Sequence, residues 1–155
     1  MKANMNATRT QKNLEAAFAG ESMANRKYLY FAKIARKLGD EEVAALFEKT
    51  ANEETAHAFS HLDLIFHDEK MTVQRLLELA IEGELYETNH MYPEFEQVAR
   101  EEGDAAAVAE FKEQAAESAG HADIFAQAAK RFAGLAKVEA VHAARYQQML
   151  DKKPA

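Results

Sequence analysis

Carboxylate side chains interrupt helical stripes that are otherwise apolar, and this pattern constrains the fold more than any other feature. From Val43 onward, apolar residues recur every three or four positions, and Glu54 and His57 occupy two of the inward positions. Because side chains at i and i+3 are neighbours on a helix, the two converge and can chelate a divalent metal. A single pair of this kind is more simply explained as a charged helix face. Whether these two residues are metal ligands therefore depends on the rest of the chain.

The same arrangement recurs along the chain. A second Glu-x-x-His pair is formed by Glu139 and His142, while the first predicted helix has one inward glutamate and the third has two. The full set of inward carboxylates and imidazoles is Glu21, Glu54, His57, Glu84, Glu87, Glu139 and His142. Burying one unpaired carboxylate costs on the order of several kcal/mol. Since no Arg or Lys lies in these stripes, bound cations are the simplest compensation for the set. Any one glutamate alone could reach water at a helix edge.

The chemical character of these side chains narrows the choice of metal. Carboxylate oxygens with one imidazole per ion favour iron or manganese over zinc. One Glu from each of two helices, with Glu-x-x-His from each of two others, is the ligand pattern of di-iron and di-manganese ferritin-like bundles. Because that pattern binds two metal ions, we expect two ions here as well.

Composition limits the remaining possibilities. A chain of 155 residues with 48% hydrophobic residues predicts one domain over 1–155, with flexible ends at 1–9 and 151–155. The net charge of -7 argues against nucleic acid or an anionic membrane as a partner. The lack of cysteine excludes disulfides, a thiolate nucleophile and Cys-ligated metals among these residues. No apolar run is long enough for a signal peptide or a membrane span, so we expect a cytoplasmic protein.

The sequence favours long helices, because it has only two prolines and six glycines. The spacing of apolar residues predicts helices over 10–38, 40–66, 73–102 and 104–150, the last with an interruption. Gly39-Asp40 and Gly103-Asp104 each predict the end of one helix and the cap of the next. Pro93 predicts a disturbance of the third helix just past Glu87.

A faint internal repeat suggests the topology. Residues 14–21 resemble 77–84 at an offset of 63, and 39–57 resemble 103–121 at an offset of 64. Two helical hairpins follow, and we expect them to pack as an antiparallel four-helix bundle. The counterpart of Glu54 in this repeat is Ser118, and the residues after 130 have no counterpart in the first half.

Several of these segments resemble the rubrerythrin family of ferritin-like peroxidases. The resemblance is carried by residues 14–22, 28–32, 53–58, 83–87, 91–93 and 135–143. It implies two iron ions per chain, with manganese as an alternative, bound by the seven side chains named above. It also implies that Tyr28 and Tyr92 lie beside the site, although packing in the core explains either tyrosine nearly as well.

Two departures from the family pattern matter. Rubrerythrins usually carry a Cys-ligated rubredoxin module, and its absence here implies a separate electron donor such as a rubredoxin. An alignment without a gap also puts Ser118 and His121, rather than Glu139 and His142, at the ligand level; Glu117 is rotated about 100° from Ser118. We favour the alternative of an inserted helix at 104–118, a turn near Gly120 and a last bundle helix ending near residue 150.

The resemblance implies a di-iron enzyme that reduces hydrogen peroxide, or dioxygen, to water and forms a homodimer. Two other functions fit the same ligands. The first is a ferritin-like ferroxidase that handles iron. The second is a helical scaffold that bound metal stabilises and that catalyses no reaction. Peroxide reactivity of the reduced protein distinguishes the peroxide-reducing enzyme from the ferroxidase and from the scaffold.

Overall fold

The chain is a series of helices joined by short turns. The computed structural model describes residues 8–66 and 71–152, and within these ranges there is no β-strand. The elements in order are α1 (Arg9–Lys37), α2 (Glu41–Ile65), α3 (Val73–Tyr86), a π-helical turn (Glu87–Met91), α4 (Tyr92–Glu102) and α5 (Ala105–Asp151). The predicted all-α fold class is confirmed. None of the helices in the described ranges has the length and apolar character needed to cross a bilayer.

The chain divides into two compact units, Lys2–Met71 and Thr72–Ala155. In the first, α1 packs on α2; in the second, α3, the π turn and α4 pack on α5. Each unit is therefore one of the two helical hairpins that the internal repeat predicts. Of the ends predicted to be flexible, residues 1–7 and 153–155 lie outside the described ranges, while Arg9 and Asp151 are helical.

Both hairpin turns have the predicted glycine and aspartate chemistry. Gly39 and Gly103 adopt left-handed conformations with φ of 86° and 78°, which L-residues with a Cβ rarely take. The Asp40 carboxylate accepts a hydrogen bond from the Val43 N–H at 3.0 Å. Asp104 accepts one from the Ala107 N–H, also at 3.0 Å. The two turns are thus built alike, 64 positions apart in the sequence.

Buried alanines hold the helices of each hairpin close together. Ala35 and Ala58 are buried in the first hairpin, and their counterparts 64 positions later, Ala99 and Ala122, are buried in the second. Small side chains at a helix contact allow the backbones to approach closely. The repeat therefore extends from the turns to the core, and it brings equivalent positions of the two hairpins into similar surroundings.

The π-helical turn is the disturbance that Pro93 predicts. Pro93 lies at the start of α4 and has no backbone N–H to donate. In the wider turn before it, the Thr88 hydroxyl donates to the Glu84 carbonyl at 2.8 Å, and the Asn89 amide donates to the Leu85 carbonyl at 2.9 Å. Turns of this kind often mark functional sites, and this one begins at Glu87.

The predicted break near Gly120 is wrong, because α5 is one helix of 47 residues. An isolated glycine in a helix costs only about 1 kcal/mol, and the alanine-rich sequence on both sides of Gly120 favours continuation. The inserted helix predicted at 104–118 is therefore the first part of α5. The residues after 130, which have no counterpart in the first half of the chain, extend α5 at its C-terminal end. Each of them lengthens the helix by about 1.5 Å.

Candidate metal centre

The first hairpin brings three of the predicted ligands together. Glu21 on α1 and Glu54 and His57 on α2 each offer a ligand atom, and these atoms lie within 4.8 Å of one another. His57 Nδ1 is 2.9 Å from Glu54 Oε2. The Glu54 side chain is only 16% exposed, whereas that of His57 is 60% exposed. We call Glu21, Glu54 and His57 the first ligand group.

Asn25 fixes the register of the two helices that carry this group. Its side-chain amide donates to the Ala51 carbonyl at 2.7 Å and to the Thr55 hydroxyl at 3.0 Å. Asn25 lies one turn after Glu21, and Ala51 lies three residues before Glu54. The sequence analysis did not predict these hydrogen bonds between α1 and α2. They could have been suspected from the polar amide of Asn25, which follows Ala24 of the inward stripe.

The second hairpin holds the same residue types, but among the described residues only the first group has ligand atoms that all converge. Glu84 lies at the end of α3, Glu87 begins the π turn, and His121 lies on α5. His121 Nδ1 is 3.5 Å from Glu84 Oε2. The hydroxyl of Ser118, which is only 5% exposed, donates to Glu87 Oε2 at 2.9 Å. We call Glu84, Glu87 and His121 the second ligand group.

Each group consists of two carboxylates and one imidazole, and arginines do not compensate these carboxylates. In the described ranges, the arginine ion pairs are formed with other acids: Arg36 with Glu41 and Glu48, Arg75 with Glu78 and Glu82, and Arg100 with Glu96. Oxygen ligands with a single imidazole per group fit iron or manganese. The side chains present therefore suit the metal that the sequence predicts.

Glu139 and His142 are not brought to the second ligand group. Both are exposed in the C-terminal part of α5, in the same unbroken helix as Ser118. A separation of 21 residues along one helix corresponds to about 30 Å. His121 instead supplies the imidazole beside Glu84, and this is the level that the alignment without a gap predicts.

Tyr28 is half-buried and packs against two other aromatic rings in the first hairpin. Its ring centroid lies 5.9 Å from that of Phe47 and 6.5 Å from that of Phe31. Aromatic pairs at these distances stabilise the contact between helices. The role of Tyr28 beside the site stays a prediction.

Tyr92 lies in an acidic environment. Burial raises the pKa of its hydroxyl first, and the nearby carboxylates of Glu87, Glu110, Glu84 and Glu117 raise it further. Its ring packs against Phe111 at 6.3 Å. Because the hydroxyl keeps its proton at neutral pH, Tyr92 can donate a hydrogen bond to a carboxylate or to a small oxygen ligand.

Sequence comparisons place these groups in a known family. The rubrerythrin family profile matches residues 12–129, which include both ligand groups and Ser118 but end before Glu139. A rubrerythrin from Porphyromonas gingivalis is 35% identical over 97% of this chain and 70% of its own length. Nigerythrin from Nitratidesulfovibrio vulgaris is 41% identical over 64% of this chain and 55% of its own length.

A rubrerythrin from Clostridium perfringens is 32% identical over 82% of this chain and 73% of its own length. A solved structure of nigerythrin in its fully reduced, all-ferrous state is 34% identical, covering 85% of this chain and 72% of that chain, with a TM-score of 0.41. The family assignment depends on the sequence matches, which cover both hairpins. The chain belongs to the rubrerythrin family, a family of ferritin-like di-iron proteins.

Proposed function

We propose that this chain is a non-haem di-iron oxidoreductase that reduces hydrogen peroxide to water in the cytoplasm, using electrons from a separate donor. The observation that carries the proposal is the convergence of Glu21, Glu54 and His57 in the first hairpin of a member of the rubrerythrin family. The contact between His121 and Glu84 in the second hairpin supports it. The proposed iron ligands are Glu21, Glu54, His57, Glu84, Glu87 and His121. The homodimer and the metal identity stay predictions.

The ligand groups suit this chemistry for physical reasons. Two ferrous ions held by these residues would supply the two electrons that, with two protons, convert one hydrogen peroxide into two waters. The four carboxylates would compensate the positive charge of two bound ferrous ions. The two imidazoles complete the binding sites without adding charge, provided that they are neutral.

Tyr92 is the proposed proton-bearing residue beside the second ligand group. Its hydroxyl oxygen, Oη, carries a proton at neutral pH, as in any ordinary tyrosine, and burial and the nearby carboxylates raise its pKa further. A protonated hydroxyl can orient hydrogen peroxide by donating a hydrogen bond to one of its oxygens. Tyr28 has no comparable support, because its ring packs against Phe31 and Phe47.

The supply of electrons is the part of the reaction for which this sequence offers no group of its own. The 155 residues contain no cysteine, so no thiolate-bound iron can be built from them. Once its two electrons are spent, the centre must be reduced again from outside. We therefore propose a separate redox protein, such as a rubredoxin, as the electron donor.

Steady-state peroxide consumption tests this proposal. Without a donor, reduced iron-loaded protein is expected to consume about one peroxide per pair of iron ions and then stop, because the centre holds two electrons. With a rubredoxin and its reductase, consumption should continue and follow the oxidation of the reductant. Metal-free protein is the control. Unlimited consumption with release of dioxygen and no donor would contradict the proposal, as would no consumption at all.

A further inference from the structure

One side-chain amide joins the two helices of the first hairpin near the metal ligands. Asn25 on α1 is half-buried, and its Nδ2 donates to the Ala51 carbonyl at 2.7 Å and to the Thr55 hydroxyl at 3.0 Å. The Thr55 hydroxyl donates in turn to the same carbonyl at 3.3 Å. A carbonyl only accepts hydrogen bonds, so the residue that faces it must be a donor, which an ionised aspartate is not. We call Asn25, Ala51 and Thr55 the amide bridge.

The amide bridge lies beside the first ligand group on both helices. Asn25 follows Glu21 by one helical turn, and its two partners on α2 lie before and after Glu54 in the sequence. Because the two helices of a hairpin are antiparallel, one turn back along α1 and one turn forward along α2 lead to the same level. The bridge therefore fixes the two helices where Glu21 meets Glu54 and His57.

The apolar packing between α1 and α2 does not select this alignment by itself. The buried residues of α2 are Ala44, Ala51 and Ala58, which repeat every seven positions. Identical small side chains at a constant spacing are interchangeable, so they pack similarly after one helix slides along the other. A slide of one helical turn is about 5.4 Å. This exceeds the 4.8 Å within which the ligand atoms lie, so the ligand group depends on a fixed register.

A directional contact at the level of the ligands supplies that register. A single asparagine in the apolar contact of a coiled coil specifies the register in the same way, because its hydrogen bonds are lost when the helices slide. The hairpin turn holds the helices at one end only, and Gly39 lies 14 residues after Asn25. The amide bridge is thus the contact best placed to keep Glu21 opposite Glu54.

The second hairpin does not repeat the bridge at the corresponding positions. Asn25 corresponds to Thr88 at an offset of 63, and Thr55 corresponds to Ala119 at an offset of 64. The Thr88 hydroxyl donates to the Glu84 carbonyl on its own side of the hairpin. Loss of the amide bridge should therefore affect the first ligand group and spare the second.

We infer that Asn25 is a positioning residue: its amide fixes the register of α1 against α2 and so holds Glu21 where it can bind the same metal ion as Glu54 and His57. This inference rests on the proposed function, because metal binding is what the register supports. Groups that hold metal ligands in place commonly change metal affinity by about 10-fold to 100-fold. Asn25 acts through α2 rather than on a ligand atom, so we expect a loss of about 10-fold for one of the two ions.

Asn25→Leu tests the inference, because leucine has nearly the same size and no hydrogen-bond donor. The readout is binding of Mn²⁺ alone, followed by the loss of the electron paramagnetic resonance signal of the free ion. The affinity for one ion should fall by about 10-fold, while the affinity for the other stays at the wild-type value. Wild-type affinity for both ions, or equal weakening of both, would overturn the inference.

Two controls separate positioning from stability. Asn52→Leu makes the same change at an exposed position beside Ala51 and should keep wild-type binding. Asp40→Ala removes the cap of α2 at the hairpin turn, so it destabilises the same hairpin without touching the amide bridge. Thermal unfolding of the metal-free variants compares their stabilities. Equal loss of Mn²⁺ affinity in Asp40→Ala and Asn25→Leu would overturn the positioning role, because the effect would then follow stability.

Thr55→Val tests the bridge from the other helix. It removes the hydroxyl but keeps the branched shape, and the stronger bond from Asn25 to the Ala51 carbonyl remains, so the loss of affinity should be smaller than in Asn25→Leu. In the Asn25→Leu background it should cause no further loss, because the bridge is already broken. Full additivity of the two losses would overturn the bridge as a unit.

The results separate this inference from the proposed function. Wild-type protein that binds two ions, with no loss in Asn25→Leu, would overturn the positioning role alone. Failure of the wild-type protein to bind Mn²⁺ or Fe²⁺ would instead overturn the metal centre itself, and the positioning role with it.

Discussion

Replacing Glu54 by alanine is expected to lower the iron content from two ions per chain to about one or fewer. Glu54 is the least exposed of the measured side chains in the first ligand group, and its Oε2 lies 2.9 Å from His57 Nδ1. Removing it takes away one carboxylate and the group that orients the imidazole. Elemental analysis of protein reconstituted with iron without oxygen, after removal of free metal, measures the effect.

Glu53→Ala is the matched control for this experiment. Glu53 precedes Glu54 on α2, is exposed, and lies outside the ligand cluster. Its removal changes the net charge of the chain by the same amount, so a nonspecific effect of charge should appear in both variants. Equal and full iron retention in Glu54→Ala and Glu53→Ala would show that the first ligand group does not bind iron.

His121→Ala is expected to cost far more iron and peroxide activity than His142→Ala. His121 lies 3.5 Å from Glu84, whereas His142 is exposed about 30 Å farther along α5 than His121. Removal of a ligand imidazole should cost at least the 10-fold to 100-fold in metal affinity that is common even for groups behind the ligands. Iron content and peroxide consumption of the two variants give the ranking.

The reverse ranking would have a clear structural meaning. It would show that the C-terminal part of α5 supplies the last ligands, as the gapped alignment predicts, and that the contact between His121 and Glu84 is incidental. Glu139→Ala provides a second comparison on the same helix, because it should behave like His142→Ala. Loss of iron in both variants would favour the gapped alignment.

Much of the fold follows from local sequence signals. The glycine and aspartate at 39–40 and 103–104 fix both hairpin turns, because one residue must be left-handed and the next must cap a helix. The repeat predicts the two hairpins. The first ligand group could also be predicted, because Glu54 and His57 are neighbours on one helix and Glu21 lies on the stripe that faces them.

The second ligand group could not be predicted from local sequence patterns. Glu139-x-x-His142 resembles the family motif more closely than Ser118-x-x-His121, but the structure places it about 30 Å farther along α5 than the histidine that contacts Glu84. Contact depends instead on whether the helix breaks at Gly120, and a glycine costs too little to stop an alanine-rich helix. The hydrogen bond from Ser118 to Glu87 was not predicted for a related reason: a serine in a stripe does not show that it faces a carboxylate from another helix.

The oxidant preference of the reduced protein tests the central claim most directly. Iron-loaded protein, reduced without oxygen, is mixed in a stopped-flow instrument with hydrogen peroxide and, separately, with dioxygen, and the ferric absorbance is followed. The account predicts that one equivalent of peroxide per pair of iron ions oxidises the centre in a single fast phase, and that dioxygen reacts much more slowly. A centre that peroxide leaves ferrous, while dioxygen oxidises it and ferric mineral accumulates, would contradict the peroxidase account and support a ferroxidase.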